Sequence, residues 1–290
     1  MKDGFINVLK PPGMTSHDVV GAVRRLLKLK KVGHAGTLDP GAAGVLPVAV
    51  GKATRLIEYI SDVDKSYRAE LVFGLSTDSG DDLGKPIEIQ SDFVMPSKQE
   101  IQDVFVSLTG EIVQIPPIYS AIKVNGQRAC DLARKNIDVK IPERRVHIYE
   151  INLLERREKT ITFDVKCSKG TYIRTLCADI GKKLGIPATM SFLLRTRVGS
   201  FELADAVTLE EMEQLGESAV VAAEGCLGNI PRFELWPQRK KAFCSGLSTT
   251  VNNYYGADTV AVFCGGEFLG VAGYDAVNHA IVPLKVFKTL

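Results

Sequence analysis

The chain has 290 residues, 45% of them hydrophobic and 24% charged, enough to bury a substantial core and to divide into a large domain and a small one. No run of about 18 uncharged apolar residues occurs and the apolar stretch of MKDGFINVLKPPG is short and broken, so neither a membrane span nor a signal peptide is expected. Six scattered cysteines with no C-x-x-C and no nearby histidine pair indicate neither zinc nor a disulfide framework, so a cytoplasmic protein with reduced thiols is expected.

In chain order, FINVLK reads as a strand. The turn PPGM then leads to Thr15 and Ser16, which can cap a helix from about His17 to Lys31. Gly33 ends that helix and opens the loop GHAGTLDP. GVLPVAVGKATRLIEYI reads as a short apolar segment followed by a helix. KSYRAELVFG alternates Tyr67, Ala69, Leu71 and Phe73 against Ser66, Arg68, Glu70 and Val72, the pattern of a half-buried strand. STDSGDDLGKP is a turn-rich loop, and SKQEIQDVFVSLTG a capped helix ended by Gly110.

The segment of about 114–145 is basic and bounded by prolines, an excursion from the main sheet. Strands follow at RVHIYEINLLERR and KTITFDVKCS, then a helix from near GTYIRTL that stops at Gly185. An acidic helical region over 205–224 leads through GNIPRFELWP, read as a linker, to short strand patterns and glycine turns that make a small β domain. Strands and helices mix without regular βαβ alternation, so the class expected is α+β.

The small net charge of +2 hides an uneven distribution. Arg24, Arg25, Lys28, Lys30 and Lys31 follow one another with no acid between them, and a second basic run extends from Lys123 to His147. Residues 202–224 hold acids and no Lys or Arg. Such segregation fits a polyanion-binding face with an acidic back, although ordinary solvated helix faces would give it too.

Glycine-rich loops invite a nucleotide reading, but GVLPVAVGKAT has Leu46 where a P-loop needs its first glycine and Ala53 where it needs a hydroxyl. Asp39 before Pro40 is by itself a turn former. Gly33, Gly36, Gly41 and Gly44 around it strip side chains from the loop, which suits close approach by another molecule's backbone. Tyr67 and Tyr172 taken singly read as core tyrosines, Arg174 as a helix-surface residue and His34 as a loop residue.

Taken together, KPPGMTS, GHAGTLDPGAAGVLPVAVGKATR, KSYRAEL, TDSGDDLGK, CSKGTYIRTL and FLLRTRVGSF, in that order, resemble the TruB-type tRNA pseudouridine synthases over nearly the whole chain. The resemblance implies a pseudouridine-synthase fold, with a central mixed, largely antiparallel sheet flanked by helices and loops in residues 1–230. It also implies a small β domain in 231–290 resembling the RNA-binding PUA domain.

The implied activity is isomerisation of uridine to pseudouridine at position 55 in the T loop of tRNA, without metal or organic cofactor. The partner would be the tRNA T arm, with no membrane and no obligatory protein partner, and the protein would be a monomer. Asp39 would be the catalytic nucleophile or base and Arg174 the cation paired with it. Tyr67 would stack on the target base and assist at its C5 proton. His34, Tyr172 and Leu193 would bind the substrate. Leu194 stands where the family often has a basic residue. Lys10, Arg24, Lys28, Lys31, Lys123, Arg128 and Arg144 are the candidates for RNA contacts. Covalent attack at C1′ and a glycal route both remain open on these residues.

Overall fold

The computed structural model describes residues 3–120, 122–124, 126–129, 132, 141–228, 230–252, 254 and 256–288. Strand β1 (Gly4–Lys10) leads into helix α1 (Ser16–Leu26). Thr15 caps it: its hydroxyl accepts from the Asp18 amide at 3.1 Å, and the Asp18 carboxylate accepts from the Thr15 amide at 2.8 Å. The helix stops sooner than its basic pattern predicts. Lys28 takes a left-handed backbone with φ of 53°, so Lys28, Lys30 and Lys31 lie beyond the helix rather than on one of its faces.

Short β2 (Val32–His34) and β3 (Ala43–Val50) bracket the GHAGTLDP loop, and α2 (Ile57–Ser61) follows a 3₁₀ turn. Strand β4 (Lys65–Phe73) buries alternate residues as its pattern requires. A small hairpin, β5 (Leu75–Thr77) with β6 (Pro86–Ile89), precedes α3 (Lys98–Leu108), capped by Ser97 and Glu100. The sequence continues through β7 (Gly110–Gln114), the hairpin β8 (Lys123–Val124) with β9 (Gln127–Arg128), β10 (Arg144–Arg156) and β11 (Thr160–Cys167). Helix α4 (Ile173–Leu184) ends on Gly185 at φ of 70° and leads to β12 (Ala188–Val198).

Apart from the two hairpins β5–β6 and β8–β9, these strands form with β13 (Phe201–Glu202) and β14 (Val221–Ala222) a ten-stranded sheet in the order β14-β1-β3-β12-β4-β11-β10-β7. Strands β2 and β13 pair on β3 and β12. Its pairings are antiparallel except that of β12 with β3. Helices α3 and α4 cover β4, β11 and β12 through Phe105, Phe163, Leu176 and Ile180, and α1 covers β1 and β3 through Val19, Val20, Val23, Ile6 and Leu46. The topology thus inserts β12, late in sequence, between β3 and β4.

Two regions differ from expectation. The acidic stretch 205–224 holds only one α-helix, Leu209–Leu215, among 3₁₀ turns, because Gly216 closes it on a positive φ. The segment expected to be a linker contributes β15 (Arg232–Glu234), which pairs in parallel with β17 (Thr259–Cys264). With β16 (Thr249–Thr250), β18 (Glu267–Asp275) and β19 (Ala280–Val286) it completes a five-stranded C-terminal sheet. Phe263, Phe268 and Val271 of that sheet share one apolar cluster with Phe5, Val45, Leu56 and Phe201. The C-terminal β unit is therefore seated on the large sheet by common core.

Candidate active site

The loop between β2 and β3 owes its shape to backbone anchors. Gly36 adopts φ of 94°, which favours glycine. The Ser16 hydroxyl donates to the Leu38 carbonyl at 3.0 Å and accepts from the Leu38 amide at 2.9 Å, and the Gly13 amide donates to the Pro40 carbonyl at 2.9 Å. The Ala42 amide donates to the Asp39 carbonyl at 3.1 Å, so Asp39 and Pro40 do form a turn. The turn leaves the Asp39 side chain pointing into a cavity of about 320 Å³, lined by Asp39, Tyr67, Tyr172, Arg174 and Leu193 among others.

Arg174 comes from the first turn of α4 and is 5% exposed. Its Nε meets Asp39 Oδ2 at 3.1 Å. Its terminal nitrogens donate to the carbonyls of Ser79 at 2.8 Å and Tyr119 at 2.9 Å, and one lies 3.8 Å from Asp81 Oδ2. These contacts fix the guanidinium plane beneath the carboxylate. The Asp39 side chain keeps 38% of its surface accessible through the cavity mouth, yet enough protein surrounds it that desolvation dominates. Its pKa is raised above the ordinary carboxylate value by burial, opposed by Arg174 and reinforced by Asp81.

Tyr67, at 7% exposed, lies on the inward face of β4, and burial pushes its phenol up to about 12. Tyr172 immediately precedes α4 and is clamped by Gln114, whose amide nitrogen donates to the Tyr172 carbonyl at 3.3 Å while its oxygen accepts from the Tyr172 amide at 3.0 Å. Leu193 projects from β12 and supplies apolar wall. The site therefore presents one carboxylate, a buried cation against it, and two aromatic rings with a leucine, a shape suited to a flat base.

The remaining expected residues divide. His34 pairs with Val48 on β2, is not among the cavity's lining residues, and has an Nδ1 that is buried without a partner; burial lowers its pKa. Lys10 is 0% exposed, a correction to its expected place on an RNA surface. Its ammonium donates to the carbonyls of Pro11 at 2.8 Å and Pro40 at 3.2 Å, so it braces the aspartate turn, and burial lowers its pKa to about 8.

Arg24, Lys28 and Lys31 are exposed. Arg144 is half-buried, donates to the Gly170 carbonyl at 3.1 Å and lies 5.8 Å over the Tyr172 ring, which places it beside the cavity. The backbone of Lys123 and Arg128 forms the β8–β9 hairpin, while their side chains lie outside the description, as do residues 133–140 of the basic segment. Arg195, Lys65 and Gln114 are site residues that sequence reasoning missed. A buried arginine in an otherwise alternating strand could have signalled the first.

Comparisons with known proteins identify the family. The family model described as TruB family pseudouridylate synthase, N-terminal domain, matches residues 24–173. A second, the tRNA pseudouridylate synthase B C-terminal domain, matches residues 174–224. The chain belongs to the TruB family of pseudouridylate synthases.

As such it is a pseudouridine synthase, and its α+β class and pseudouridine-synthase fold are as expected. It is 50% identical over 297 residues to the tRNA pseudouridine synthase B of Alkaliphilus oremlandii, covering 99% of this chain and 98% of that one. It is 51% identical over 289 residues to the tRNA pseudouridine synthase B of Caldanaerobacter subterraneus subsp. tengcongensis, covering 98% and 99%. Among solved structures it is similar to a chain of a Cbf5-Nop10-Gar1 complex, with a TM-score of 0.78 at 28% identity over 99% of this chain and 85% of that one.

Among the described residues no helix is long and apolar enough to cross a membrane, and no cluster of His, Cys, Asp and Glu has the grouping of a metal site.

Proposed function

We propose that this TruB-family enzyme converts uridine to pseudouridine at position 55 in the T loop of tRNA, with Asp39 as the reacting carboxylate. The observation that carries the reading is the 3.1 Å pair of Asp39 with Arg174 at the floor of an aromatic cavity. The substrate assignment follows the names of its relatives and the motif resemblance.

The isomerisation breaks the bond from ribose C1′ to uracil N1 and joins C1′ to C5; C5 loses its proton to solvent and N1 takes one up, so no net redox change or energy input is required. The Asp39 carboxylate either attacks C1′ or takes a ribose proton, and both routes need it ionised. Arg174 opposes the desolvation that would protonate it. Tyr67 and Tyr172 hold the detached uracil between the two bond events, and Leu193 excludes water that would trap the ribose by hydrolysis. With its phenol pushed up to about 12, Tyr67 stays protonated at neutral pH, so its part is to stack and to hydrogen-bond rather than to act as a phenolate.

A uridine inside a folded loop must leave its stack to enter this cavity, at a cost of a few kcal/mol. Phosphate contacts from Arg24, Lys28, Lys31 and Arg144 offset that cost, while the C-terminal β unit, in the manner of a PUA domain, engages another part of the tRNA. His34 is not among the residues lining the cavity, which begin two positions later at Gly36, and its substrate role is to meet RNA outside the pocket that receives the base.

The test is tritium release from tRNA carrying uridine labelled at C5. Wild-type protein releases one tritium per tRNA and Asp39→Asn none, with tRNA binding retained. Wild-type protein that binds the T arm without releasing tritium would overturn the reading in favour of an RNA-folding factor.

A further inference from the structure

Arg195 is 1% exposed, one of the largest fully buried side chains in the protein, and forms no ion pair with a carboxylate among the described residues. Its guanidinium donates to three carbonyls instead and also bears on the Tyr67 phenol. Nε donates to Val45 at 2.8 Å, one terminal nitrogen to Thr37 at 3.2 Å and the other to Gly36 at 3.3 Å. Thr37 and Gly36 belong to the loop that ends in Asp39. The Arg195 backbone is fixed from both sides: it stands opposite Tyr67 on antiparallel β4 and opposite Gly44 on parallel β3. The β3 contact is close enough that a Cβ at Gly44 would lie 2.2 Å from the Arg195 carbonyl oxygen.

Taking a charge out of water is costly, and even buried ion pairs can often be replaced by apolar side chains of similar volume without loss, so stability alone does not account for this arginine. The planar fork, however, can reach three carbonyls on two segments at fixed angles, which an ammonium or an apolar chain cannot. We propose that Arg195 is a positioning residue for the isomerisation: it ties the Asp39 loop to the strand that carries Tyr67, and thereby sets where the carboxylate stands relative to the ring that holds the base.

This rests on the roles given above to Asp39 and Tyr67. The charge serves the same end. The groups that act on the Asp39 carboxyl are Arg174 from α4, Lys10 from β1 and Arg195 from β12, which favour its ionised form, and Asp81 from the loop after β5, which opposes it. The phenols of Tyr67 and Tyr172 also face it.

The experiment compares wild type with Arg195→Lys and Arg195→Met at a temperature where circular dichroism shows each folded. It reads tRNA affinity, the single-turnover rate, and the titration of the Asp39 carboxyl by carbon NMR, assigned by its loss in Asp39→Asn. Arg195→Met is expected to bind tRNA within about threefold of wild type yet to react roughly 10²-fold more slowly, the cost of a misplacement near 1 Å. Its Asp39 titrates at higher pH than in wild type. Arg195→Lys keeps the charge, so Asp39 titrates near its wild-type pH, while the rate stays at least about tenfold low because one ammonium cannot hold three carbonyls.

A folded Arg195→Met with a rate within about threefold of wild type, or an unmoved Asp39 titration, overturns the proposal, as does an Arg195→Lys of wild-type rate. If Arg195→Met does not fold, the Arg195→Lys rate decides alone. Failure of wild-type protein to make pseudouridine would count against the proposed function instead, and leaves the NMR comparison intact as the test of the tie.

Discussion

Asp39 and Arg174 meet at 3.1 Å although they are far apart in sequence, one from a turn after β2 and the other from the first turn of α4. Among the described residues Arg174 has four oxygen partners, two of them carboxylates. Lysine cannot span that set. Arg174→Lys is expected to lose about 10²-fold in kcat with tRNA affinity little changed, by the same positioning argument that governs small displacements of a reacting group. Arg174→Met removes the cation as well and leaves Asp39 and Asp81 to repel one another. Its activity therefore demands a higher pH than wild type, and filter binding with tritium release separates the two effects.

The raised pKa of Asp39 gives two signed expectations. With Asp39 as the proposed reacting carboxylate, its ionised form is the active one, and kcat is expected to fall on acidification at a pH above that of an ordinary aspartate. Stability runs the other way: a carboxyl whose folded value is raised favours the fold when protonated, and that contribution is lost as pH rises through the folded value. At neutral pH the charged form is a burden, so Asp39→Asn should melt no lower than wild type there. Acidification should shift the difference in Tm toward the wild type; a neutral-pH Tm clearly below wild type would contradict this.

At Gly44 β3 lies against β12 with φ of 116° and space for no Cβ beside the Arg195 carbonyl. Gly44→Ala must both strain the backbone and part the one parallel pairing of the large sheet. A loss of roughly 3 kcal/mol or more in urea unfolding is expected, together with loss of activity in whatever protein remains folded.

Lys10, with its pKa lowered to about 8 from 10.5, is a second titratable group set against the fold. Between those values the unfolded chain holds the proton and the folded chain does not, so this lysine makes stability rise with pH across that window; below it the cost is fully present. Lys10→Met should remove up to about 1.4 kcal/mol per pH unit of that slope. Differences in stability between the two proteins from pH 7.5 to 10 check it. Neutralising Arg24, Lys28 and Lys31 should instead weaken tRNA binding and flatten its salt dependence, without the pH effect on stability.

Phe263, Phe268 and Val271 complete a core with Phe5, Val45 and Leu56, and Lys285 pairs with Glu58 at 2.8 Å across the same junction. Ending the chain at residue 230 would expose that face. The shortened protein is expected to lose several degrees of Tm or to aggregate, visible by calorimetry, rather than merely to bind tRNA less tightly.

What the sequence determined by itself was local. The alternation of β4, the caps at Thr15 and Ser97, and the stop at Gly185 act between residues a few positions apart and appear as read, while α3 ends at Leu108 and Gly110 already opens β7. The bare turn that presents Asp39 also appears as read. Its partners Tyr67, Tyr172, Arg174 and Leu193 were legible only through the joint motif resemblance, since each alone reads as core or surface.

The tertiary structure decided the rest: that Lys10 is inside, that His34 stands off the cavity, that Arg232–Glu234 is a strand, and that Arg195 braces the loop. All four follow from which strands become neighbours. Placing β12 between β3 and β4 brings residues 39, 67 and 195 together, and that order is set by the global competition to bury apolar faces and satisfy backbone hydrogen bonds, which no short stretch of sequence encodes.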